Sequence, residues 1–155
     1  MQSTFDKYGV LYYSQSIEYH KNKKRKFHSK KYPGLTFDST WEVEVYEFCR
    51  DNNIPVEYSP SISFPYEYDG RTFYYHPDLL ISGKVYEVKG DQFFRINEST
   101  GKEEMFNPYR EQKWSDEYYD WICKKFEAKH QCMIANNVII LRSKEVENLT
   151  IELFQ

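Results

Sequence analysis

The stretch His76-Pro77-Asp78-Leu79-Leu80-Ile81-Ser82-Gly83-Lys84-Val85-Tyr86-Glu87-Val88-Lys89 decides how this chain is read. Ser82-Gly83 between two strand-like runs is a two-residue hairpin signal, because such a turn needs left-handed backbone and glycine adopts it without steric cost. With Ile81 and Lys84 flanking the turn, Leu80 faces Val85, Leu79 faces Tyr86, Asp78 faces Glu87 and His76 faces Lys89. Asp78 and Glu87 then share one sheet face with Cβ atoms roughly 5 Å apart. Carboxylates so placed repel unless one pKa rises, both stay in open solvent, or a cation lies between them. A divalent metal meets that need: Mg²⁺ takes oxygen ligands at roughly 2.1 Å, so two carboxylates and a backbone carbonyl form a half-shell. Lys89 shares the face of Glu87, where it could hold or deprotonate an attacking water or neutralise a phosphate.

Upstream, strand-like runs at residues 62–68 and 72–81 are joined by a second hairpin signal, Asp69-Gly70. Before them a helix is expected from Asp38-Ser39, where Ser39 and Glu42 have capping-box spacing, to Asn52-Asn53 and Pro55. Trp41, Val45, Tyr46, Phe48 and Cys49 make its apolar arc, with Glu44, Glu47 and Asp51 opposite. Glu42 falls inside the apolar arc, which suits an inward-pointing ligand as well as a cap. Downstream, residues 91–112 resemble an insertion built as a projecting hairpin around Ser99-Thr100-Gly101. A long helix, or two in succession, follows over residues 113–136, and a strand at residues 138–142 ends an α-β-β-β-α-β order.

The 155 residues have the length of one domain, with an extension over residues 1–37 that carries one or two short strands in its first twenty residues. The sequence contains 11 Phe, 15 Tyr and 3 Trp against 6 Gly and 6 Pro, which excludes collagenous and largely disordered readings. The longest aliphatic run, Val138-Ile139-Ile140-Leu141, is far short of a membrane span, and the first twenty residues lack a secretory apolar block. An intracellular, cytoplasmic protein is expected. Cys49, Cys123 and Cys132 form an odd set without CxxC spacing, which argues for buried thiols rather than a disulfide framework or zinc ribbon. The net charge of -3 hides an asymmetry: residues 21–31 hold 7 of the 21 Lys and Arg and no acid, so the remaining 14 face all 24 Asp and Glu. This basic arm, with Lys23, Lys24, Arg25, Lys26, Lys30 and Lys31, is either a solvated loop or a phosphate-binding segment.

His76-Pro77-Asp78, eight residues, then Glu87-Val88-Lys89 resembles the Pro-Asp…(Asp/Glu)-x-Lys signature of the PD-(D/E)xK nuclease superfamily. The order of helix, hairpin between the motif halves, helix and strand is similar to that superfamily's core. Ser39-Thr40-Trp41-Glu42 through Glu87-Val88-Lys89-Gly90 resembles the bacteriophage endonuclease I branch, which resolves Holliday junctions, and more distantly the TnsA-like transposon-end nucleases. The resemblance implies a restriction-endonuclease-like α/β fold, a mixed sheet flanked by helices. It implies a metal-dependent DNA endonuclease in which Glu42, Asp78 and Glu87 hold Mg²⁺ or Mn²⁺, the Val88 carbonyl ligates metal, and Lys89 assists the nucleophilic water. The insertion, the basic arm and the aromatic helix have no counterpart in endonuclease I.

His76, Lys125 and Lys129 are candidates for supporting roles: His76 shares the Asp78 face in the deduced register, and both lysines lie on the apolar face of the long helix. The lysines either snorkel from that face or reach the site or a phosphate. DNA is the expected partner, gripped by the basic arm and the residue 91–112 hairpin. A homodimer would explain cutting of both strands, although no heptad is visible. The rival reading is a non-catalytic DNA-binding or assembly protein that retains the nuclease fold; a small metal-binding hydrolase of nucleotides is a third.

Overall fold

A computed structural model describes residues 26–155, and the chain divides into two compact units, Met1–Val43 and Glu44–Gln155. The strands expected over residues 1–20 and the basic residues Lys23, Lys24 and Arg25 lie outside the described residues. In the first unit, Phe27 and Phe37 form an isolated antiparallel bridge through two backbone hydrogen bonds of 3.0 and 2.8 Å. The loop so closed turns at Pro33-Gly34, where Gly34 has φ 111°. Lys30 and Lys31 on the loop, and Lys26 just before it, are exposed.

The chain then runs through α1 (Thr40–Asp51), β1 (Val56–Tyr58), β2 (Phe64–Tyr68), β3 (Arg71–Tyr75), β4 (Leu79–Ile81), β5 (Lys84–Val88), β6 (Phe94–Ile96), β7 (Glu103–Met105), α2 (Asp116–Ala135), β8 (Ile139–Leu141) and α3 (Ser143–Glu147). The fold is α/β with a mixed sheet. Four strands lie in the order β1-β4-β5-β8, with β5 antiparallel to β4 and parallel to β8; β2-β3 and β6-β7 are separate two-stranded sheets. A parallel neighbour for β5 needs a crossover, and α2 supplies it.

Both hairpin signals form as expected. β4 and β5 pair Leu79↔Tyr86, Leu80↔Val85 and Ile81↔Lys84, with Ser82 at φ 49° and Gly83 at φ 80° in the turn. Asp69 and Gly70, at φ 50° and 71°, join β2 to β3 in the same way. The run expected over residues 72–81 is nevertheless two strands in two sheets. Pro77 has no N–H to give a ladder, so the chain leaves one sheet at Tyr75 and enters another at Leu79. β1, short and flanked by Pro55 and Pro60, carried no clear alternation and was not expected.

The buried positions of α1 are Glu42, Val45, Tyr46 and Cys49, the i, i+3, i+4, i+7 stripe of an amphipathic helix. α2 is one helix rather than two, capped by Ser115, whose side chain accepts from the Tyr118 amide. On one sheet face, Tyr86 meets Phe154 edge-on at 5.6 Å, and Phe154 meets Phe48 of α1 at 6.0 Å. Elsewhere Tyr75, Met105, Cys132 and Met133 form a buried cluster, with Phe94 and Ile140 packed against it.

The hairpin expected within residues 91–112 is present as β6-β7, but it is docked. Met105 is buried in that cluster and its amide donates to Glu127 Oε2 at 3.0 Å. Arg142 stacks its guanidinium 3.9 Å from the Phe94 ring and donates to both Asp91 and Glu103, each at 2.7 Å. The three thiols are free and buried, as expected.

Candidate active site

The β4-β5 register, continued one residue past Leu79↔Tyr86, sets Asp78 opposite Glu87. Each carboxylate then takes its own donor. Val88, which by the same register would face Pro77 beyond the strand's end, donates its amide to Asp78 Oδ2 at 2.9 Å. The backbone of Asp78 is held from the other edge, where the Ser59 amide donates to its carbonyl at 2.8 Å. Glu87, only 4% exposed, accepts a 2.6 Å hydrogen bond from the Tyr75 hydroxyl on Oε2. Tyr75 is fully buried. Burial first, then Glu87, then Asp78 push its phenol far above the usual tyrosine range, so the hydroxyl stays protonated and donates. The repulsion between two facing acids is thus eased by donors from the protein, and both acids act on one phenol.

Lys89 is half-buried on the same side. Its ammonium lies 4.3 Å from the centre of the Phe93 ring and 5.7 Å from that of Phe126 on α2. An ammonium over ring faces is attracted to them while its stem is covered, which fixes the position of the head group. The Lys89 amide donates to the Leu141 carbonyl at 3.0 Å, tying the end of β5 to β8. One helix turn from Phe126, Lys129 sits 5.5 Å from the Tyr75 ring. Lys125 sits 4.1 Å from the Phe73 ring and 5.6 Å from that of Trp121. Burial first, then Lys129, hold the Lys125 ammonium below the ordinary lysine range.

The structure therefore brings Asp78, Glu87 and Val88 together at the end of one hairpin, with Lys89 next in the chain, Lys129 of α2 reached through the Tyr75 ring, and Lys125 over Phe73 and Trp121. His76 is exposed. The expectation that it shares the Asp78 face assumed an unbroken strand, and the break at Pro77 removes that parity. Tyr75, which an unbroken strand would put on the face opposite Asp78, takes the supporting place instead. Glu42 belongs to the first unit; it is 4% exposed, accepts from the Ser39 hydroxyl at 3.0 Å and donates its amide to Ser39 Oγ at 3.2 Å.

Asp78, Glu87 and the Val88 carbonyl are hard oxygen donors and match Mg²⁺ or Mn²⁺ in type. Among the described residues, no three or more His, Cys, Asp or Glu side chains cluster closely enough to hold a metal ion. The fit thus extends to a two-carboxylate half-shell. Comparison with known proteins gives no match: no family model, no curated protein and no solved structure matches this chain. Among the described residues, no helix is long and apolar enough to cross a membrane.

Proposed function

We propose that this chain is a metal-dependent DNA endonuclease of the PD-(D/E)xK type, with a restriction-endonuclease-like core. The observation that carries the proposal is the facing of Asp78 and Glu87 at the end of one hairpin, with Lys89 two residues beyond Glu87. In this reading Asp78, Glu87 and the Val88 carbonyl would hold Mg²⁺ or Mn²⁺. The bound metal would supply Lewis-acid polarisation of a phosphoryl oxygen and a more acidic water. Tyr75 fixes one oxygen of Glu87, and the Val88 amide fixes one oxygen of Asp78. Lys89, positioned by Phe93 and Phe126, would orient the attacking water or neutralise charge on the phosphate. Glu42 enters as a third carboxylate through the family resemblance alone. Exposed Lys26, Lys30 and Lys31 supply positive charge for a polyanion, and a homodimer would bring two such sites to two strands.

The test is incubation of the full chain with supercoiled, linear, single-stranded and four-way-junction DNA, with Mg²⁺, Mn²⁺ or chelator, beside Lys89→Ala. Nicked or linearised product that requires metal and disappears in the variant is expected. Absence of product from every substrate with either metal, or products that persist undiminished in Lys89→Ala, would overturn it. The second reading, a non-catalytic DNA-binding or assembly protein, draws support from the hydrogen bonds that let the acid pair stand without a cation. Its signature is DNA binding that survives chelator with no cleavage under any condition.

A further inference from the structure

Helix α2 treats its lysines in two ways. Lys124 is exposed and pairs with Asp120, four residues before it, at 2.9 Å. Lys125 and Lys129, also four apart, are half-buried and face each other's charge, an arrangement that is destabilising on a helix. Among the described residues neither has a carboxylate partner: the contacts of their ammonium groups are with the rings of Phe73, Trp121 and Tyr75. The acids of the helix that could neutralise them are engaged elsewhere. Asp116 binds Arg110, Asp120 binds Lys124, and Glu127 accepts from the Met105 amide and from Gln131.

Snorkelling over apolar rings accounts for one such lysine; it does not account for two placed side by side without an acid. The surroundings also say where an anion would sit. The ring under Lys129 is Tyr75, whose hydroxyl is 2.6 Å from Glu87, so Lys129 lies one aromatic side chain away from Glu87, with Lys125 one helix turn before it. A negatively charged group bridging Lys125 and Lys129 would relieve their repulsion and would be held beside Asp78 and Glu87 without entering the acid pair. A phosphate has the charge and the several acceptor oxygens needed to meet two ammonium groups at once.

We propose that Lys125 and Lys129 together bind one phosphodiester of the DNA strand, adjacent to the bond cut at Asp78 and Glu87. This rests on the nuclease reading. The pair is a positioning device: it fixes the register of the strand on the protein, as phosphate contacts do, and reads no base.

Two measurements test it. In the first, the full chain with ¹³C-labelled lysine is titrated with inorganic phosphate while the lysine side-chain signals are followed. Lys125 and Lys129 should shift together at lower phosphate than Lys124, the neighbour already paired with Asp120. Equal response of all three, or none, would overturn the pair as a site. In the second, duplex DNA binding is followed against salt in Ca²⁺ for the wild type, the double variant Lys125→Gln/Lys129→Gln, and Lys124→Gln. The double variant should flatten the log–log slope by about 0.9, the value for one phosphate, and Lys124→Gln should change it less. Equal flattening in both variants would reduce the pair to part of a general basic field and overturn the proposal. Selective shifts with phosphate in a chain that binds no DNA would transfer the pair to a phosphorylated small molecule and end the nuclease reading, whereas selective shifts with an unchanged DNA slope would end this proposal alone.

Discussion

Hairpins β2-β3 and β4-β5 are made by the same turn and put to different uses. Their turn residues have φ of 50° and 71° in one and 49° and 80° in the other, so the local chemistry that sets register is shared. The neighbours differ. β2-β3 is a sheet by itself, with alternating half-buried and exposed residues along β2 and with Tyr68 packed on Trp121 of α2 at 5.3 Å. Its acid, Glu67, is exposed and accepts from the Thr72 hydroxyl across the pair. β4-β5 has β1 on one side and β8 on the other, and Tyr86, Glu87 and Val88 are consecutive buried residues. A turn thus decides which residues face each other, whereas burial decides whether a facing acid is an ordinary solvated group or a chemical problem that the fold must answer.

The sharpest way to break this contrast is to remove one acid from each hairpin. Glu87→Ala is expected to lower metal-dependent DNA cleavage by at least about 10³-fold, since it removes a ligand of the proposed metal. It should also cost about 1–3 kcal/mol in urea unfolding, because the buried Tyr75 hydroxyl loses its acceptor. Glu67→Ala should leave cleavage unchanged and stability within about 0.5 kcal/mol. Comparable losses from both variants would show that the hairpins are not functionally distinct.

Tyr75→Phe sharpens the comparison by keeping both acids and deleting only the donor. Outer-shell partners of metal ligands typically contribute about 10–100-fold to metal affinity, so Mn²⁺ binding by calorimetry should weaken by that range. Metal affinity equal to wild type would leave Tyr75 as a packing residue and return Glu87 to an unsupported ligand. Stability is the secondary readout, with a loss of about 1–3 kcal/mol, since Glu87 remains buried after its donor is gone.

Tyr75 also marks where reading the sequence stops. The β4-β5 register was legible because a two-residue turn fixes pairing by arithmetic, and the buried stripe of α1 was legible because helical periodicity is a sum over many residues. The end of β3 was not: Pro77 sits in the motif, and a run of β-forming residues on both sides of it reads as one strand. That single break sets Tyr75, and not His76, against Glu87, the reverse of what an unbroken strand implies. The docking of β6-β7 was hidden for another reason. Met105 and Arg142 are far apart in sequence, and nothing local in either says that one enters a core and the other clamps the hairpin over Phe94 through Asp91 and Glu103. The ion-pair pattern of α2 was equally out of reach, since the spacing of its lysines does not tell which acids are engaged elsewhere.

The smallest expected effect asks whether the shared turn is as equivalent as its angles suggest. Gly70 and Gly83 both have left-handed φ, and a Cβ built at either meets nothing within 4 Å. Replacing each by alanine therefore tests the backbone alone: the left-handed conformation costs a residue with a Cβ about 1–2 kcal/mol, offset in part by the reduced freedom of the unfolded chain. Gly70→Ala and Gly83→Ala should each cost about 1 kcal/mol by urea unfolding, with the two values close together. If Gly83→Ala costs well over that while Gly70→Ala does not, the β4-β5 turn is being held by the surrounding sheet as well as by its own residues. The facing of Asp78 and Glu87 would then be a property of the four-stranded sheet, and equal costs would leave it to the two residues that make the bend.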